Sequence, residues 1–131
     1  MRPKLTEIPG ELAKPFIDAY VEKWNLDSND DGFEEVQWYG AWLDSTLHAV
    51  VGLKPDLEGL FVYGFYGDGS VHENRALLAL SQVLDAVPFP LTGNIILPNE
   101  KMLAAAVKRQ WFVHNPEVDI CVYVVRKEVT V

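Results

Sequence analysis

Residues 61–85, FVYGFYGDGSVHENRALLALSQVLD, combine a strand pattern, a glycine-rich turn and a helix pattern. Gly64, Gly67 and Gly69 allow positive φ angles or a close approach of the backbone to a ligand. A turn of this kind cradles a phosphate when the backbone N–H groups that open the helix point at the anion. The residue types and their spacing therefore make this turn the first candidate site for a phosphate-bearing ligand.

Acidic side chains around the same turn favour a different interpretation. Asp68 and Glu73 place two negative charges at the positive end of the helix dipole, which stabilises a helix by about 0.3–1 kcal/mol per charge and repels a pyrophosphate. Ser70 followed by Glu73 also matches the capping box, in which the Ser oxygen accepts the N–H of the third residue and the Glu carboxylate accepts the N–H of the Ser. Arg75 and His72 are the nearby side chains that could offset the acidic charge. A bound phosphate and a well-capped helix after a tight turn both remain open.

A second acidic stretch, DSNDDG at residues 27–32, satisfies the first six positions of a calcium-binding EF-hand loop. The twelfth position, which needs a bidentate Glu, is Trp38, and a strand pattern follows where a second helix is required. A solvated acidic turn is the expectation here. His48, His72 and His114 show no ligand-like spacing, so we expect no metal site.

The composition limits the classes of function. A chain of 131 residues that is 49% hydrophobic is long enough for one well-buried domain, which we expect to span residues 1–131. The net charge of −8 disfavours nucleic acid as a partner, because affinity for a duplex comes largely from Lys and Arg. Cys121 is the single cysteine, so an intrachain disulfide is excluded. No signal pattern or stretch of about 18 apolar residues occurs, so we expect a soluble protein without membrane contact.

The hydrophobic periodicity predicts the elements that must position the glycine turn. Pro15 can open a first helix that runs to about Trp24, since Phe16, Tyr20 and Trp24 recur every fourth residue. Strands follow at VQWYGAWL, TLHAVVGL and LEGLFVYGFY, then a helix at 71–86, a strand at NIILP, a helix from Asn99 to about residue 110, and two strands around WFVH and DICVYVV. The predicted fold class is α/β, with a mixed central sheet of about six strands flanked by helices.

This order of elements resembles the GCN5-related N-acetyltransferase (GNAT) fold over about residues 34–127. Three segments carry the resemblance: the strand meander 36–66, the glycine turn with the helix that contains NRALLAL, and LPNEKMLAAAVKRQWF followed by DICVYVVRK. The last segment is similar to the C-terminal pattern of the family, with Trp111 in place of the usual Gly before Phe112.

The resemblance implies that acetyl-CoA binds at a splayed pair of parallel strands, with its pyrophosphate on a turn of the form Gln/Arg-x-x-Gly-x-Gly/Ala. Alignment on the glycines places Gly64 where Gln or Arg is expected, and alignment on the following helix places His72 and Asn74 on the glycine positions. Both alignments lack the polar donor. The cofactor contacts implied in this sequence are Val62, Gly67, Gly69, Asn74, Arg75 and Asn99. For Asn99, the favoured explanation is instead that it caps the helix after Pro98.

Catalysis in this family needs a base for the amine, often a strand carboxylate, and frequently a Tyr on the last helix that protonates the leaving thiolate. Glu58 falls near the carboxylate position in this sequence, although a polar residue at a strand start explains it too. The segment that should carry the Tyr reads AAAVKRQ. Tyr63, Tyr66 or Tyr123 could substitute, but each also fits as a strand aromatic.

Two functions of different classes follow. The first is an acyl-CoA-dependent N-acyltransferase with a degenerate pyrophosphate turn, which uses acetyl-CoA and acts in the cytoplasm on an amine-bearing small molecule or protein. The second is a catalytically silent GNAT-like protein that binds no cofactor, similar to short acidic bacteriophage proteins with a virion or host-interaction role. The aromatic hairpin at residues 38–42 could then join copies of the chain into a homo-oligomer or a larger assembly.

Overall fold

A computed structural model describes residues 2–27, 32–115 and 122–129. These residues form seven strands and three α-helices, in the order β1 (Lys4–Ile8), α1 (Gly10–Trp24), β2 (Gln37–Leu43), β3 (Thr46–Pro55), β4 (Leu60–Gly67), α2 (Glu73–Asp85), β5 (Leu91–Ile96), α3 (Glu100–Lys108), β6 (Phe112–Asn115) and β7 (Val122–Lys127). A single 3-10 turn, Phe33–Glu35, precedes β2.

The strands form one mixed sheet in the order β1-β2-β3-β4-β5-β7-β6. β2 pairs antiparallel with both β1 and β3, and β7 pairs antiparallel with both β5 and β6. β4 and β5 are parallel, with three residue pairs that run from Leu60 opposite Leu91 to Val62 opposite Gly93. The predicted mixed α/β sheet is therefore confirmed, with β1 as a strand beyond the six that the sequence indicated.

The start of the chain differs from the expectation. The first helix begins at Gly10, five residues before Pro15, so Pro15 lies inside α1 and does not open it. A proline in a helix interior removes one backbone hydrogen bond and crowds the carbonyl four residues earlier. The helix persists because Phe16 and Ile17 pack against the core, and burial of apolar side chains outweighs the local loss.

The chain divides into two compact units, residues 1–54 with 63–86 and residues 55–62 with 87–131. The single domain expected over residues 1–131 stays a prediction. In the first unit, a core cluster joins β1, α1, β2 and β3 through Ile8, Ala13, Trp38 and Val50. The partly buried side chains packed against this cluster are Phe16, Ile17, Phe33, Val36, Trp42, Leu47, Tyr63 and Tyr66.

Helix α2 is the last element of the first unit along the chain, and it begins after the glycine-rich turn. Ala76, Leu80 and Leu84 are buried, whereas Leu77 is half-buried. Because they are spaced four residues apart, the three buried side chains lie on one side of the helix. Among the described residues, no helix has both the length and the apolar character needed to cross a membrane.

The second unit contains the start of β4 together with β5, α3, β6 and β7. Its buried side chains include Leu91, Ile95 and Val125. β5 begins at Leu91, three residues before the predicted strand. Lys127 on β7 is only 6% exposed, and its Nζ donates a hydrogen bond of 2.6 Å to the carbonyl of Arg109 just beyond α3. This bond satisfies a carbonyl at the negative end of the helix.

Candidate functional site

The glycine turn, residues 67–72, joins β4 to α2. Gly69 adopts a φ of +77°, in the left-handed region that favours glycine. At Gly67, a Cβ would meet the side chain of Glu73, which would then have to move away from the turn. The carboxylate therefore lies directly over the backbone at Gly67.

Three N–H groups of the turn are bonded to side chains of the chain itself. Gly69 N–H donates to Oε1 of Glu73 at 3.2 Å, Ser70 N–H donates to Oδ1 of Asp68 at 3.0 Å, and His72 N–H donates to Oγ of Ser70 at 3.2 Å. The predicted capping box is wrong in its side-chain partners: Oγ of Ser70 accepts the N–H of His72, while the N–H of Glu73 donates to the backbone carbonyl of Ser70, and the carboxylate of Glu73 accepts the N–H of Gly69 and not that of Ser70. The reason is that α2 begins at Glu73, so the side chains cap the turn before the helix.

A histidine cluster lies against this turn and comprises His48, Asp68, Ser70 and His72. His48 Nδ1 lies 2.5 Å from Oδ2 of Asp68 and 3.3 Å from Oγ of Ser70. The backbone repeats the connection, since Asp68 N–H donates to the carbonyl of His48 at 3.0 Å. The rings of His48 and His72 have centroids 5.0 Å apart. No sequence spacing indicated this cluster, because β3 brings His48 to a turn some twenty residues further along the chain.

A β-bulge accounts for the position of His48. Ala49 pairs with Ala41 and Leu47 pairs with Trp42, which leaves His48 as the extra residue of β3. Bulges of this kind redirect a side chain and often occur next to functional sites. The side chain of His48 is only 8% exposed, and that of Asp68 is 23% exposed.

The cluster is not a Ser-His-Asp triad. A triad needs the Ser oxygen on one ring nitrogen of the His and the Asp on the other, whereas both oxygens here approach Nδ1 of His48. Because an ionised carboxylate only accepts hydrogen bonds, Nδ1 carries the proton that Asp68 accepts. The geometry therefore gives a His–Asp pair without an activated nucleophile.

Asp68 is held in its charged form. Partial burial raises the pKa of this carboxyl, but hydrogen bonds from Ser70 and His48 and the charge of His48 lower it by more. The pKa of Asp68 consequently lies below its ordinary value of 3.8. Asp68 therefore contributes a full negative charge to the turn at neutral pH.

Glu58, the candidate base, precedes β4, whereas the glycine turn follows it. Its side chain is 74% exposed, and Oε2 lies 3.0 Å from Nη1 of Arg126. Arg126 also contacts Glu128, with 2.5 Å between Nε and Oε1. The hydrogen bond to Glu128 is the largest of the causes that raise the pKa of Arg126. The catalytic role of Glu58 stays a prediction, and the ion pair competes for the oxygen that would accept a proton.

The structure gives the positions of four further residues that were candidates for cofactor contacts. Asn99 caps α3, where its Oδ1 accepts the N–H of Met102 at 3.2 Å, as the alternative interpretation expected. Val62 is the last β4 residue of the parallel pair with β5. Asn74 and Arg75 are exposed in the first turn of α2. A cofactor contact at each of these residues stays a prediction.

The three tyrosines that could replace the missing helical Tyr lie on strands: Tyr63 and Tyr66 on β4, and Tyr123 on β7. Tyr66 packs against Tyr20, with ring centroids 4.8 Å apart, and burial followed by the neighbouring Tyr20 and Tyr63 raises the pKa of its phenol. Tyr63 packs edge-on against Trp38. Tyr123 lies opposite Ile95 in the pairing of β7 with β5. The substitution of any of these for the missing helical Tyr stays a prediction.

The expected ion sites and the hairpin surface can be placed in part. Residues 28–31 of the acidic loop lie outside the described residues, as does Cys121. In the described part of the chain, no group of three or more His, Cys, Asp or Glu side chains is arranged to hold a metal.

Within the hairpin 38–42, Trp38 belongs to the core, while Tyr39 and Trp42 are half-buried. Association through this hairpin stays a prediction.

No protein-family model and no curated protein matches the sequence. Solved structures do match over almost the whole chain. A GNAT-family acetyltransferase from Staphylococcus aureus Mu50 superposes with a TM-score of 0.76 at 9% identity, covering 98% of this chain and 99% of that one. The ribosomal-protein-S18-alanine N-acetyltransferase from Escherichia coli gives a TM-score of 0.72 at 10% identity, covering 98% and 95%.

A third match carries a cofactor in its own structure. The PaiA N-acetyltransferase from Thermoplasma acidophilum, solved in complex with coenzyme A, has a TM-score of 0.66 at 14% identity and covers 98% of this chain and 99% of that one. Identities this low establish the fold alone. Together with the mixed sheet and its parallel β4–β5 pair, these matches show that the chain has the GNAT acetyltransferase fold.

Proposed function

We propose that the chain binds coenzyme A or an acyl-CoA at the glycine turn and transfers the acyl group to an amine. One observation carries the proposal: the turn already holds an anionic group. The carboxylate of Glu73 lies over Gly67 and accepts the N–H of Gly69. A phosphate oxygen is an acceptor of the same kind, so displacement of Glu73 would give the pyrophosphate its place.

The similar structures support this choice of ligand. PaiA from Thermoplasma acidophilum was solved with coenzyme A, and Naa50 from Arabidopsis thaliana, with a TM-score of 0.68 at 11% identity, was solved with the bisubstrate analogue CoA-Ac-MVNAL. The second ligand joins a CoA to a peptide. By analogy, the acceptor proposed for this chain is an amine on a small molecule or a protein.

Each candidate residue has a role under this proposal. Gly67 and Gly69 allow the pyrophosphate to approach the backbone, and Asn74 and Arg75 contact it from the first turn of α2. Glu58 takes the proton from the attacking amine, directly or through water, after it has left Arg126. For Val62 and Asn99, cofactor contact is implied by the resemblance alone.

A catalytically silent binding or structural protein, such as a bacteriophage virion or host-interaction protein, is the second candidate. It is favoured by the carboxylate of Asp68, which occupies the N–H of Ser70 and keeps a negative charge beside the turn. The ion pair of Glu58 with Arg126 also favours a silent protein, because it occupies the carboxylate of the candidate base.

Calorimetric titration with acetyl-CoA, followed by an assay of thiol release with a panel of amines, separates the two candidates. Saturable binding with amine-dependent release of CoA supports the acyltransferase. Binding without thiol release supports a silent acyl-CoA-binding protein. Absence of binding from pH 6 to pH 8 would refute the proposed cofactor site.

A further inference from the structure

Four titratable side chains surround the glycine turn, and two of them are histidines. Asp68 and Glu73 hold the N–H groups of Ser70 and Gly69. His48 bonds to Asp68, and the ring of His72 lies against that of His48. With both histidines neutral the group carries two negative charges, and with both protonated it carries none. Histidine changes its charge near pH 6.5, within the physiological range.

We propose that His48 and His72 form a pH-sensitive switch that controls whether the glycine turn accepts an anion. Protonation of the two rings adds positive charge that offsets the charges of Asp68 and Glu73, so the turn repels a phosphate less, whereas the unprotonated rings leave both negative charges uncompensated. This inference rests on the proposed CoA site and adds the condition under which that site binds.

The placement of His48 supports its part in the switch. It is the bulged residue of β3, it is 7% exposed, and it contacts the turn through its backbone carbonyl as well as its ring. Asp68 faces it from the turn, and His72 faces it from the start of α2. Glu73 acts one step further away, through the N–H of Gly69. A positive charge on His48 therefore interacts directly with Asp68, whose carboxylate binds the backbone of the turn.

The two histidines differ in their surroundings. His72 is exposed and precedes the positive end of the α2 dipole, which opposes a positive charge on it. A protonated His48 with its ring centroid 5.0 Å away opposes that charge further. An anion in the turn would relieve both effects. Binding of the anion must therefore draw protons onto the histidines, since linkage is reciprocal.

The test measures CoA affinity at pH 6.0 and pH 8.0 for the wild type and for His48→Gln, His72→Gln and the double variant. We expect the wild type to bind roughly 10-fold more tightly at pH 6.0, since protonation of the histidines adds positive charge beside the phosphate site. The double variant should lose most of this ratio. His114→Gln, which removes the remaining histidine of the chain, should keep it. Because all variants use the same ligand, titration of the CoA phosphates cancels.

Proton uptake provides a measurement that does not depend on a variant folding. Calorimetry of the wild type at pH 7 in buffers of different ionisation enthalpy should show net uptake of protons beyond that of CoA itself. His72→Gln, an exposed substitution, should reduce the uptake. Equal pH ratios in the wild type and both single variants, with no excess uptake, would overturn the switch while leaving CoA binding intact.

A second ligand distinguishes failure of the switch from failure of the proposed function. If CoA does not bind at either pH, inorganic pyrophosphate is titrated while the melting temperature is followed. Stabilisation by pyrophosphate at pH 6.0 that is lost at pH 8.0 and in His72→Gln would support the switch and refute CoA as the ligand. Absence of any effect of pyrophosphate at both pH values would refute both proposals.

Discussion

His48 Nδ1 and Asp68 Oδ2 lie 2.5 Å apart, although 20 residues separate them in the chain. This contact joins the bulge of β3 to the turn that precedes α2. Because Oδ1 of the same carboxylate accepts the N–H of Ser70, one aspartate couples a buried imidazole to the backbone of the candidate anion site. The local stability of the turn and its affinity for anions should therefore depend on the same side chain.

Asp68→Asn tests the contribution of this aspartate to stability. Because the pKa of Asp68 is lower in the folded chain than in the unfolded chain, its ionised form stabilises the fold at neutral pH. This contribution is lost as the pH falls through the folded-state pKa, below about pH 4. Urea unfolding should show a less stable variant at pH 7 and a difference that shrinks toward pH 3.

Asp18→Asn is the matched control, since Asp18 is exposed on α1. It should leave the pH profile of the wild type unchanged. If Asp68→Asn were as stable as the wild type at pH 7, the bonds to His48 and Ser70 would contribute nothing to the fold.

Glu73→Gln tests the carboxylate over Gly67. The substitution keeps the length of the side chain and removes the charge that repels a phosphate at the helix terminus. We expect CoA to bind about 2- to 5-fold more tightly, corresponding to about 0.3–1 kcal/mol at a helix end. Calorimetry checks the change, and Glu11→Gln removes an equivalent charge from the first turn of α1 as a control. Weaker binding by Glu73→Gln would show that the carboxylate assists the ligand.

Glu58→Gln tests the candidate base. If Glu58 accepts the amine proton in a rate-limiting step, thiol release should fall by about 10²- to 10⁴-fold while circular dichroism shows an intact fold. Glu128→Gln serves as the control, because Glu128 is the other carboxylate bonded to Arg126. Similar rates for the two variants would exclude Glu58 as the base.

Trp38→Ala tests whether the aromatic hairpin serves the core. Trp38 is 2% exposed, and its ring lies 6.0 Å from that of Phe33 and 5.9 Å from that of Tyr63. Truncation of a buried aromatic of this size should lower the free energy of unfolding by about 3–5 kcal/mol. Trp24→Ala at the end of α1 should cost clearly less, because Trp24 is half-buried. Denaturation followed by circular dichroism compares them, and equal losses would contradict a core role specific to Trp38.

The sequence predicted the elements whose apolar pattern is regular. α2 was recognisable because Leu80 and Leu84 recur at helical spacing and are buried. β1 was not, because Lys4–Ile8 carries two charged side chains in five residues and pairs with β2 at one end of the sheet order. Edge strands commonly carry such charges, which makes them resemble loops in a sequence.

The candidate site was predictable in its position but not in its contacts. The glycines marked the turn, whereas the expected Ser70–Glu73 capping box was wrong in its partners. The partners differed because the first helical residue is Glu73, and a shift of a residue or two changes which N–H each side chain reaches. His48 left no local signal, since its position depends on the pairing of β2 with β3. Long-range contacts of this kind are set by tertiary structure.

The carboxylate over Gly67 also has a consequence for how strongly any ligand can appear to bind. Glu73 is a tethered competitor, and a group held on a short linker acts at an effective concentration on the order of millimolar. A phosphate in solution must compete with that local concentration in addition to providing its own binding free energy. The apparent affinity of the turn for a ligand is therefore lower than its intrinsic affinity. A change in the length of the side chain at position 73 would change the ligand concentration needed to occupy the turn.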